Sequence, residues 1–378
     1  MAKTSSGRIG ILTAGGDCPG LNAVIRGVAK AAMHYGLKVI GIEDGFRGLV
    51  ENRTMLIDNP RVSGILTQGG TFLGSSRDRP HKMRMNGKIV DMTNVAVKNY
   101  RRLNLDCLVC LGGNGTQKTA WRLHERGGIN VLTVPKTIDN DVAETDITFG
   151  FDSAMAIATE AIDRLHTTAT SHQRVIVCEI MGHEAGWLCL GAGIAGGADV
   201  ILIPEIPYDL EIVARHVLRR HRAGKRFSII AVAEGIVSCH EAKTKEAAPK
   251  RHAPKPQPFQ VAPGPVYQGV HLVQESVASR VARQLQQLTG VEARVTSLGH
   301  VQRGGTPTPF DRLLCTRFGT KAGELLAKKH YNIMVGLKGD DCVPVPLAKV
   351  AGLKRVVPSN HPWIKTARLV ETCLGDER

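Results

Sequence analysis

A strand, a turn, a helix and a second strand are encoded in succession by residues 111–141, which read LGGNGTQKTAWRLHERGGINVLTVPKTIDND. An apolar run over 105–111 leads into them with the length and bulk of a central strand. It stops at the glycine-rich turn 112–116, after which apolar residues recur at helical spacing. The second strand, 131–134, delivers the polar segment 135–141. This order predicts a βαβ unit of a parallel sheet.

The turn at 112–116 has the features of a phosphate-binding site. Glycine lets the backbone approach a phosphate, and the free N–H groups of the first helical turn point at it. It is not a P-loop, because Gln117 stands where the second glycine of GxxxxGK[ST] is required. Lys136, Asp139 and Asp141 follow on the next strand, so a cation and two carboxylates are expected beside the turn. That combination suits chemistry on a phosphoryl group.

Two more glycine-rich turns precede this unit, GGDCPG at 15–20 and GGTFLGSSR at 69–77. In an open parallel sheet such turns gather at the carboxyl ends of the strands, where ligands bind. A GxGxxG sequence also occurs at 191–196, but it follows an apolar run in what reads as a helix of small residues. We interpret it as close helix packing rather than a dinucleotide site, because the strand-to-turn junction is missing.

The spacing of apolar residues predicts a second α/β layer after residue 150, where we expect a domain boundary. Helices are predicted over 21–35, 153–170 and 270–289, and strands over 8–13, 38–42, 174–179, 200–203, 228–233 and 294–298. Residues 240–269 interrupt this pattern, because they are rich in lysine, alanine, proline and glutamine. Such a composition has too little apolar surface to offset the entropy of ordering it, so we expect an exposed, mobile insertion. A partner-docking segment is the alternative interpretation.

Composition narrows the class of protein. With 378 residues, 43% apolar and 22% charged, the chain is long enough for two globular domains, and no window approaches the ~18–20 apolar residues of a membrane span. The nine cysteines are scattered, and Cys107 and Cys110 fall inside a strand, so we expect buried thiols and a cytoplasmic location. The net charge of +15 comes with only 4% aromatic residues and no basic run interleaved with stacking residues. Anionic small substrates are therefore favoured over nucleic acid.

Taken together, the motifs resemble those of the 6-phosphofructokinase family, in particular a glycine/lysine type similar to its mixed-substrate group. They occur in order over most of the chain: GGDCPGLN at 15–22, GGTFLGSSR at 69–77, GGNGT at 112–116, PKTIDND at 135–141, SHQR at 171–174, MGHEAG at 181–186, AEG at 233–235 and LGHVQRGGTPTPFDR at 298–312.

The resemblance implies two Rossmann-like three-layer α/β domains with mostly parallel sheets. Residues 1–150 with part of 302–353 would bind the phosphoryl donor, and 151–301 with the C-terminal segment would bind fructose 6-phosphate. The implied reaction transfers a phosphoryl group to the 1-hydroxyl of that sugar, with Mg²⁺ as cofactor. A homodimer or homotetramer is also implied, in which Arg174 and Arg294 reach across a subunit interface, so that a monomer would be inactive.

The same resemblance implies roles for individual residues. Asp139 is the general base, acting with Thr137, Arg77 and Arg174. The implied donor-binding residues are Gly15, Arg77, Asp78, Gly113, Asn114, Gly115 and Thr116, and the implied metal-binding residues are Asn114 and Asp141. The implied substrate-binding residues are Thr137, Ile138, Asp139, Arg174, Met181, Gly182, His183, Glu234, Arg294, His300, Val301, Gln302 and Arg303.

Two positions bear on the donor. Pyrophosphate-dependent members of the family carry an aspartate where this chain has Gly115 and a lysine where it has Lys136, whereas the best-known ATP-dependent type has glycine at both. A residue without a side chain leaves room for the α-phosphate of a nucleotide, and an aspartate would add bulk and like charge. We therefore predict ATP, with pyrophosphate as the alternative. Asn114 replaces the family's usual acid, so Mg²⁺ would depend on the donor phosphates, Asp141 and water.

Two further alternatives come from other classes. An NAD or lipid kinase has a similar phosphate turn but lacks the segments MGHEAG and GHVQRGG, which this chain has at 181–186 and 299–305. A non-catalytic subunit that binds sugar phosphate is supported only by Asn114, and the presence of Asp139, Asp141 and Arg303 argues against it.

Overall fold

The computed structural model describes residues 7–85, 87–247 and 275–376. Its strands are β1 (Arg8–Thr13), β2 (Lys38–Ile42), β3 (Thr54–Ile57), β4 (Met83–Met85), β5 (Lys88–Val90), β6 (Cys107–Gly112), β7 (Val131–Pro135), β8 (Val175–Ile180), β9 (Val200–Leu202), β10 (Ser228–Ala233), β11 (Ala293–Ser297), β12 (Ile333–Lys338) and β13 (Asp341–Pro346). Its α-helices are α1 (Leu21–His34), α2 (Phe46–Glu51), α3 (Thr93–Arg102), α4 (Asn114–Gly127), α5 (Phe151–His172), α6 (Trp187–Ala195), α7 (Leu210–Arg222), α8 (Cys239–Ala247), α9 (Val277–Thr289), α10 (Pro309–Ala327) and α11 (Pro362–Leu369).

The larger sheet has seven strands in the order β13-β12-β7-β6-β1-β2-β3. Its inner pairs are parallel, and only the outer pairs β12–β13 and β2–β3 are antiparallel. Every residue of the central strand β6 is buried, which explains why its sequence is apolar throughout instead of alternating. Helices α1 and α10 cross very closely, since a Cβ on Gly319 would lie 2.6 Å from the backbone of Gly27.

The smaller sheet has four parallel strands in the order β11-β8-β10-β9. It takes its strands from residues 175–297, whereas the larger sheet uses 8–135 and 333–346. We propose that the chain divides into its two domains between these sheets. The predicted class, α/β with mostly parallel sheets, is confirmed. Among the described residues, no helix is long and apolar enough to span a membrane.

Two predicted segments take a more definite form in the structure. The GxGxxG sequence at 191–196 lies at the end of α6, where a Cβ on Gly193 would come 2.7 Å from Ile201, so it serves close packing as predicted. Residues 240–247, predicted to begin a mobile insertion, are instead helical in α8. Glu241 accepts hydrogen bonds from the N–H and hydroxyl of Ser238 and pairs with Arg280 at 2.9 Å. These polar contacts stabilise a helix that hydrophobic patterning does not reveal. The rest of the predicted insertion, 248–269, lies outside the described residues.

The carboxyl ends of the parallel strands place the glycine turns together. The turn after β1 meets the 69–77 turn, because the N–H of Gly15 donates to the Ser76 carbonyl at 2.9 Å. The turn after β6 meets the segment after β7, because the N–H of Lys136 donates to the Gly112 carbonyl at 3.2 Å. A short helical turn, Gly299–Arg303, follows β11 and brings Arg303 to the same place.

Candidate active site

A cleft of about 380 Å³ lies where these turns meet. Most of the residues predicted for the site line it: Gly15, Arg77, Asp78, Gly113, Asn114, Gly115, Thr116, Lys136, Thr137, Asp139, Asp141, His183 and Arg303. They come from loops that follow strands of both sheets, as expected because ligands bind at the carboxyl ends of parallel strands.

One wall of the cleft is the N-terminus of α4. The N–H groups of Thr116 and Gln117 donate to the Gly113 carbonyl at 2.9 and 3.0 Å, which closes the turn. The N–H groups of Asn114 and Gly115 make no hydrogen bond within the described part of the chain. Unpaired N–H groups at a helix N-terminus carry partial positive charge, so this wall can bind an anion such as a phosphate.

The two carboxylates of the PKTIDND segment lie beside this wall. Asp141 is buried and accepts a hydrogen bond from Asn114 Nδ2 at 2.8 Å. Burial, and then the charge of Asp139, raises the pKa of Asp141 to about 6. Asp139 Oδ1 is buried without a partner among the described residues. The N–H of Asp139 donates to Thr137 Oγ1 at 3.0 Å, so the Thr137 hydroxyl keeps its own hydrogen for a ligand.

These residues fit a magnesium ion. Mg²⁺ prefers oxygen ligands and is usually held by one or two carboxylates together with substrate phosphates and water. Asn114 Oδ1 is buried with no partner in the described structure, and the Asp141 carboxylate is bonded to the same side chain. No group of three or more His, Cys, Asp or Glu side chains suited to a metal occurs among the described residues. The remaining ligands would therefore come from the donor and from water.

The cations Lys136 and Arg303 line the same cleft. Lys136 is buried and donates to the Gly16 carbonyl, and burial lowers its pKa. Arg303 donates to the Asp17 carbonyl at 3.1 Å, while its Nε is buried without a partner among the described groups. Asp78, in contrast, is held by Arg47 at 2.7 Å, so its carboxylate is neutralised by the protein itself.

Two predicted substrate residues hold a loop. The N–H of Met181 donates to Gln302 Oε1 at 3.0 Å, and the N–H of His183 donates to Glu234 Oε1 at 2.7 Å. His183 needs this support because its φ of +53° is in the left-handed region. Glu234 and Gln302 thus position the 181–183 loop, of which only His183 lines the cleft.

Other predicted residues lie away from the cleft of this chain. Arg174 and Arg294 are at the amino-terminal end of the smaller sheet, where both pair with Glu292, Arg174 at 2.8 Å. His300 and Val301 are exposed and do not line the cleft. The side chain of Ile138 is fully buried in the core, so only its backbone can face a ligand.

Among the lining residues that the sequence analysis did not predict, two are charged, Arg79 and Lys354. Lys354 belongs to the C-terminal segment, in which the sequence shows no clear chemistry. It forms an antiparallel bridge with Val142 and an ion pair with Glu184, and the next N–H, of Arg355, donates to the Asp141 carbonyl at 2.8 Å. These contacts join positions far apart in the chain, and the only local signal is the basic pair at 354–355.

Known proteins similar to this chain agree with the resemblance. The family described as Phosphofructokinase matches residues 8–326. The ATP-dependent 6-phosphofructokinase of Propionibacterium freudenreichii subsp. shermanii is 53% identical over 377 residues, covering 98% of this chain and 99% of that protein. The ATP-dependent 6-phosphofructokinase of Spirochaeta thermophila is 52% identical over 381 residues and 100% of both chains.

Solved structures share the fold. Phosphofructokinase from Saccharomyces cerevisiae matches 97% of this chain with a TM-score of 0.75 and 27% identity, and this chain spans 47% of the yeast chain. A pyrophosphate-dependent phosphofructokinase from Marinobacter aquaeolei matches 93% of this chain and 86% of its own length, with a TM-score of 0.74. At 20% identity, the latter likeness concerns the fold alone.

Proposed function

Because this chain belongs to the phosphofructokinase family, we propose that its cleft transfers the terminal phosphoryl group of ATP to the 1-hydroxyl of fructose 6-phosphate, giving fructose 1,6-bisphosphate. The observation that most supports this proposal is that one cleft contains both the unpartnered Asp139 carboxylate oxygen and the unbonded N–H groups at the start of α4. ATP is supported as donor by full-length relatives of 52–53% identity that bear the name ATP-dependent, whereas the pyrophosphate-dependent neighbour is 20% identical.

In the proposed reaction Asp139 is the general base. An alcohol is a weak nucleophile, so a carboxylate must take its proton as the new P–O bond forms. The 1-hydroxyl oxygen then bonds to the γ-phosphorus, the bond from that phosphorus to the β-phosphate oxygen breaks, and ADP leaves. The unpartnered Oδ1 of Asp139 is the atom that would accept the proton.

The remaining residues position the phosphates and stabilise their charge. Phosphoryl transfer relies mainly on positioning and cationic stabilisation, which Arg77, Thr137 and the α4 N-terminus would supply. Asn114 Oδ1 and Asp141 would hold Mg²⁺, which neutralises charge on the donor phosphates when it is bound.

For the sugar phosphate we propose Arg303 as the principal ligand, because a guanidinium matches phosphate geometry and its Nε lacks a partner among the described groups. Arg174 and Arg294 would complete the site from a neighbouring subunit, which makes a homodimer or homotetramer part of the proposal. We propose the cytosol as the location, which the nine free cysteine thiols support.

The alternative donor, pyrophosphate, is supported by Lys136. This support is weakened by a contact in the structure, because the Lys136 ammonium already donates a hydrogen bond to the Gly16 carbonyl. It is therefore less available to bind pyrophosphate than an unpaired lysine would be. A side-by-side assay with Mg-ATP and Mg-pyrophosphate at matched fructose 6-phosphate tests the proposal, with fructose 1,6-bisphosphate as the measured product. Faster turnover with ATP is expected. Faster turnover with pyrophosphate would overturn the donor, and ligand binding without any turnover would favour a non-catalytic subunit.

A further inference from the structure

The position that separates the two donors in the family, Gly115, can accept a side chain in this fold. Gly115 lies in the first turn of α4 and does not adopt a positive φ. A Cβ built on it would meet only Arg79, with Nη2 at 3.4 Å and Cζ at 3.9 Å, which are ordinary van der Waals distances. An acid in the first turn is also favoured by the helix dipole. The protein itself therefore does not exclude an aspartate at 115.

The same distances show where such a side chain would point. A carboxylate one bond beyond that Cβ would come within ion-pair range of the Arg79 guanidinium. Arg79 lines the cleft and is exposed, and its guanidinium makes no hydrogen bond or ion pair with a described residue. The Arg79 backbone is held in place, because its carbonyl accepts a hydrogen bond from the N–H of Lys82 at 2.8 Å. This bond closes the short helical turn Pro80–Lys82.

Gly113 and Gly115 face different parts of the cleft. A Cβ on Gly113 would lie 3.2 Å from the carbonyl of Lys136 and 3.7 Å from Thr137, beside the proposed base. Gly115 faces Arg79 instead. A phosphate chain that starts at Thr137 and runs along the α4 N-terminus would therefore meet Arg79 only at its far end. Pyrophosphate has two phosphates, whereas a nucleoside triphosphate has a third that extends further along this wall.

We propose that Arg79 is a donor-specificity residue, whose guanidinium binds the ribose-proximal phosphate of a nucleoside triphosphate. A side chain at 115 would then change the donor by acting on Arg79: an aspartate would pair with the guanidinium and remove its charge from the nucleotide. This inference rests on the proposed function for the transfer end of the cleft. It differs from steric exclusion, in which any side chain of similar size at 115 would have the same effect.

Two pairs of variants separate charge from bulk. Gly115→Asp and Gly115→Asn differ in charge but hardly in size, and Arg79→Lys keeps the charge that Arg79→Ala removes. Arg84→Ala is the matched control, since Arg84 is an exposed arginine in β4 that does not line the cleft. For each protein the measurements are the Kd of a non-hydrolysable ATP analogue, by calorimetry, and the KM and kcat for both substrates. Thermal melts show whether each variant is folded.

Loss of one charge-assisted phosphate contact should raise the analogue Kd and the KM for ATP about tenfold in Arg79→Ala and in Gly115→Asp. The kcat and the KM for fructose 6-phosphate should stay within about threefold in both variants. Gly115→Asn and Arg79→Lys should each lose less nucleotide affinity than Gly115→Asp and Arg79→Ala, and the control Arg84→Ala should keep every constant within about threefold. Unchanged nucleotide binding in Arg79→Ala, or equal losses in Gly115→Asn and Gly115→Asp, would overturn the inference. If the wild type made no product but bound the analogue through Arg79, the proposed function would fail and this inference would stand.

Discussion

The cleft and the amino-terminal end of the smaller sheet both carry charged residues, but those in the cleft have polar atoms without partners, whereas those at the end of the sheet form ion pairs. In the cleft, Asp139 Oδ1 and Arg303 Nε are buried without partners among the described groups. At the other end, Arg174 and Arg294 both pair with Glu292, in an exposed group that we call the Glu292 cluster. Uncommitted polar atoms in a cleft indicate a ligand, whereas paired surface charges are complete without one.

The difference has an energetic side. A buried polar group without a partner costs about 1–3 kcal/mol, whereas a surface ion pair contributes about 0–1 kcal/mol. The unpartnered groups of the cleft thus lower the free energy of unfolding, and the same groups are available to bind a ligand. If Arg174 and Arg294 bind a phosphate, as the family resemblance implies, they must exchange Glu292 for it, and this exchange costs little.

The largest effect is expected in the cleft, at the proposed base. Asp139→Asn should lower kcat by roughly 10²–10⁴, the usual contribution of a positioned general base, with little change in the KM for fructose 6-phosphate. Asp163→Asn, at an exposed position on α5, is the control. A kcat within threefold of the wild type would remove Asp139 from this role.

Arg303→Ala should act on sugar-phosphate binding. Removal of a charge-assisted phosphate contact is expected to raise the KM for fructose 6-phosphate about 10- to 100-fold, while the KM for ATP changes little. Arg283→Ala serves as control, since this exposed arginine does not line the cleft and pairs with Glu275 on the surface. A rise in the KM for ATP alone would show that Arg303 contacts the donor instead.

The pH dependence of stability should have opposite signs in the two regions, beginning with Asp141. Because its pKa is raised to about 6, Asp141 stabilises the fold when protonated, and this stabilisation is lost as the pH rises through about 6. In metal-free protein, Asp141→Asn should raise the free energy of unfolding at pH 7.5 by on the order of 2 kcal/mol, with a smaller gain at pH 5. Denaturant unfolding at both pH values, with chelator present, measures this. A gain that does not shrink at pH 5 would contradict it.

The smallest effect is expected in the Glu292 cluster. The hydrogen bond from Arg174 lowers the pKa of Glu292, so its contribution is present at neutral pH and is lost as the pH falls through that lowered value. Glu292→Gln should destabilise the protein slightly at pH 7.5, and the difference should vanish in acid. Turnover should stay within about fivefold, because the cluster is a surface ion pair. Glu275→Gln, in another surface pair, is the comparison; a tenfold loss of activity specific to Glu292→Gln would show that the cluster is more than a surface pair.

The sequence predicted best what local patterns determine. Strands β1, β2 and β10 match their predicted bounds, because apolar runs between glycine turns leave little choice of position. The helix predicted over 153–170 extends to Phe151–His172. Its start depends on Asp311, whose carboxylate accepts from the N–H groups of Gly150 and Ser153 at 2.9 and 2.8 Å. Because Asp311 is far from the helix in the sequence, the residues around 150 alone do not reveal this cap.

The site shows the same limit. The family motifs identify most of the cleft residues, but they cannot show which of them bind a ligand and which hold a loop, as Gln302 does for Met181. They also give no sign of Lys354, which reaches Glu184 only after the C-terminal segment folds back on the cleft. Contacts between distant segments are set by the packing of the whole fold, and a single sequence does not display them.

A hybrid of two inactive variants tests most directly whether the cleft and the Glu292 cluster serve one reaction. Asp139→Asn and Arg174→Ala are co-expressed with different tags, and the hybrid oligomer is isolated with both. If Arg174 completes the cleft of a neighbouring subunit, each symmetric hybrid pair contains one wholly wild-type site, and the pair should recover about half of the wild-type kcat. A hybrid no more active than its two parents would show that Arg174 and Asp139 do not meet across a subunit contact.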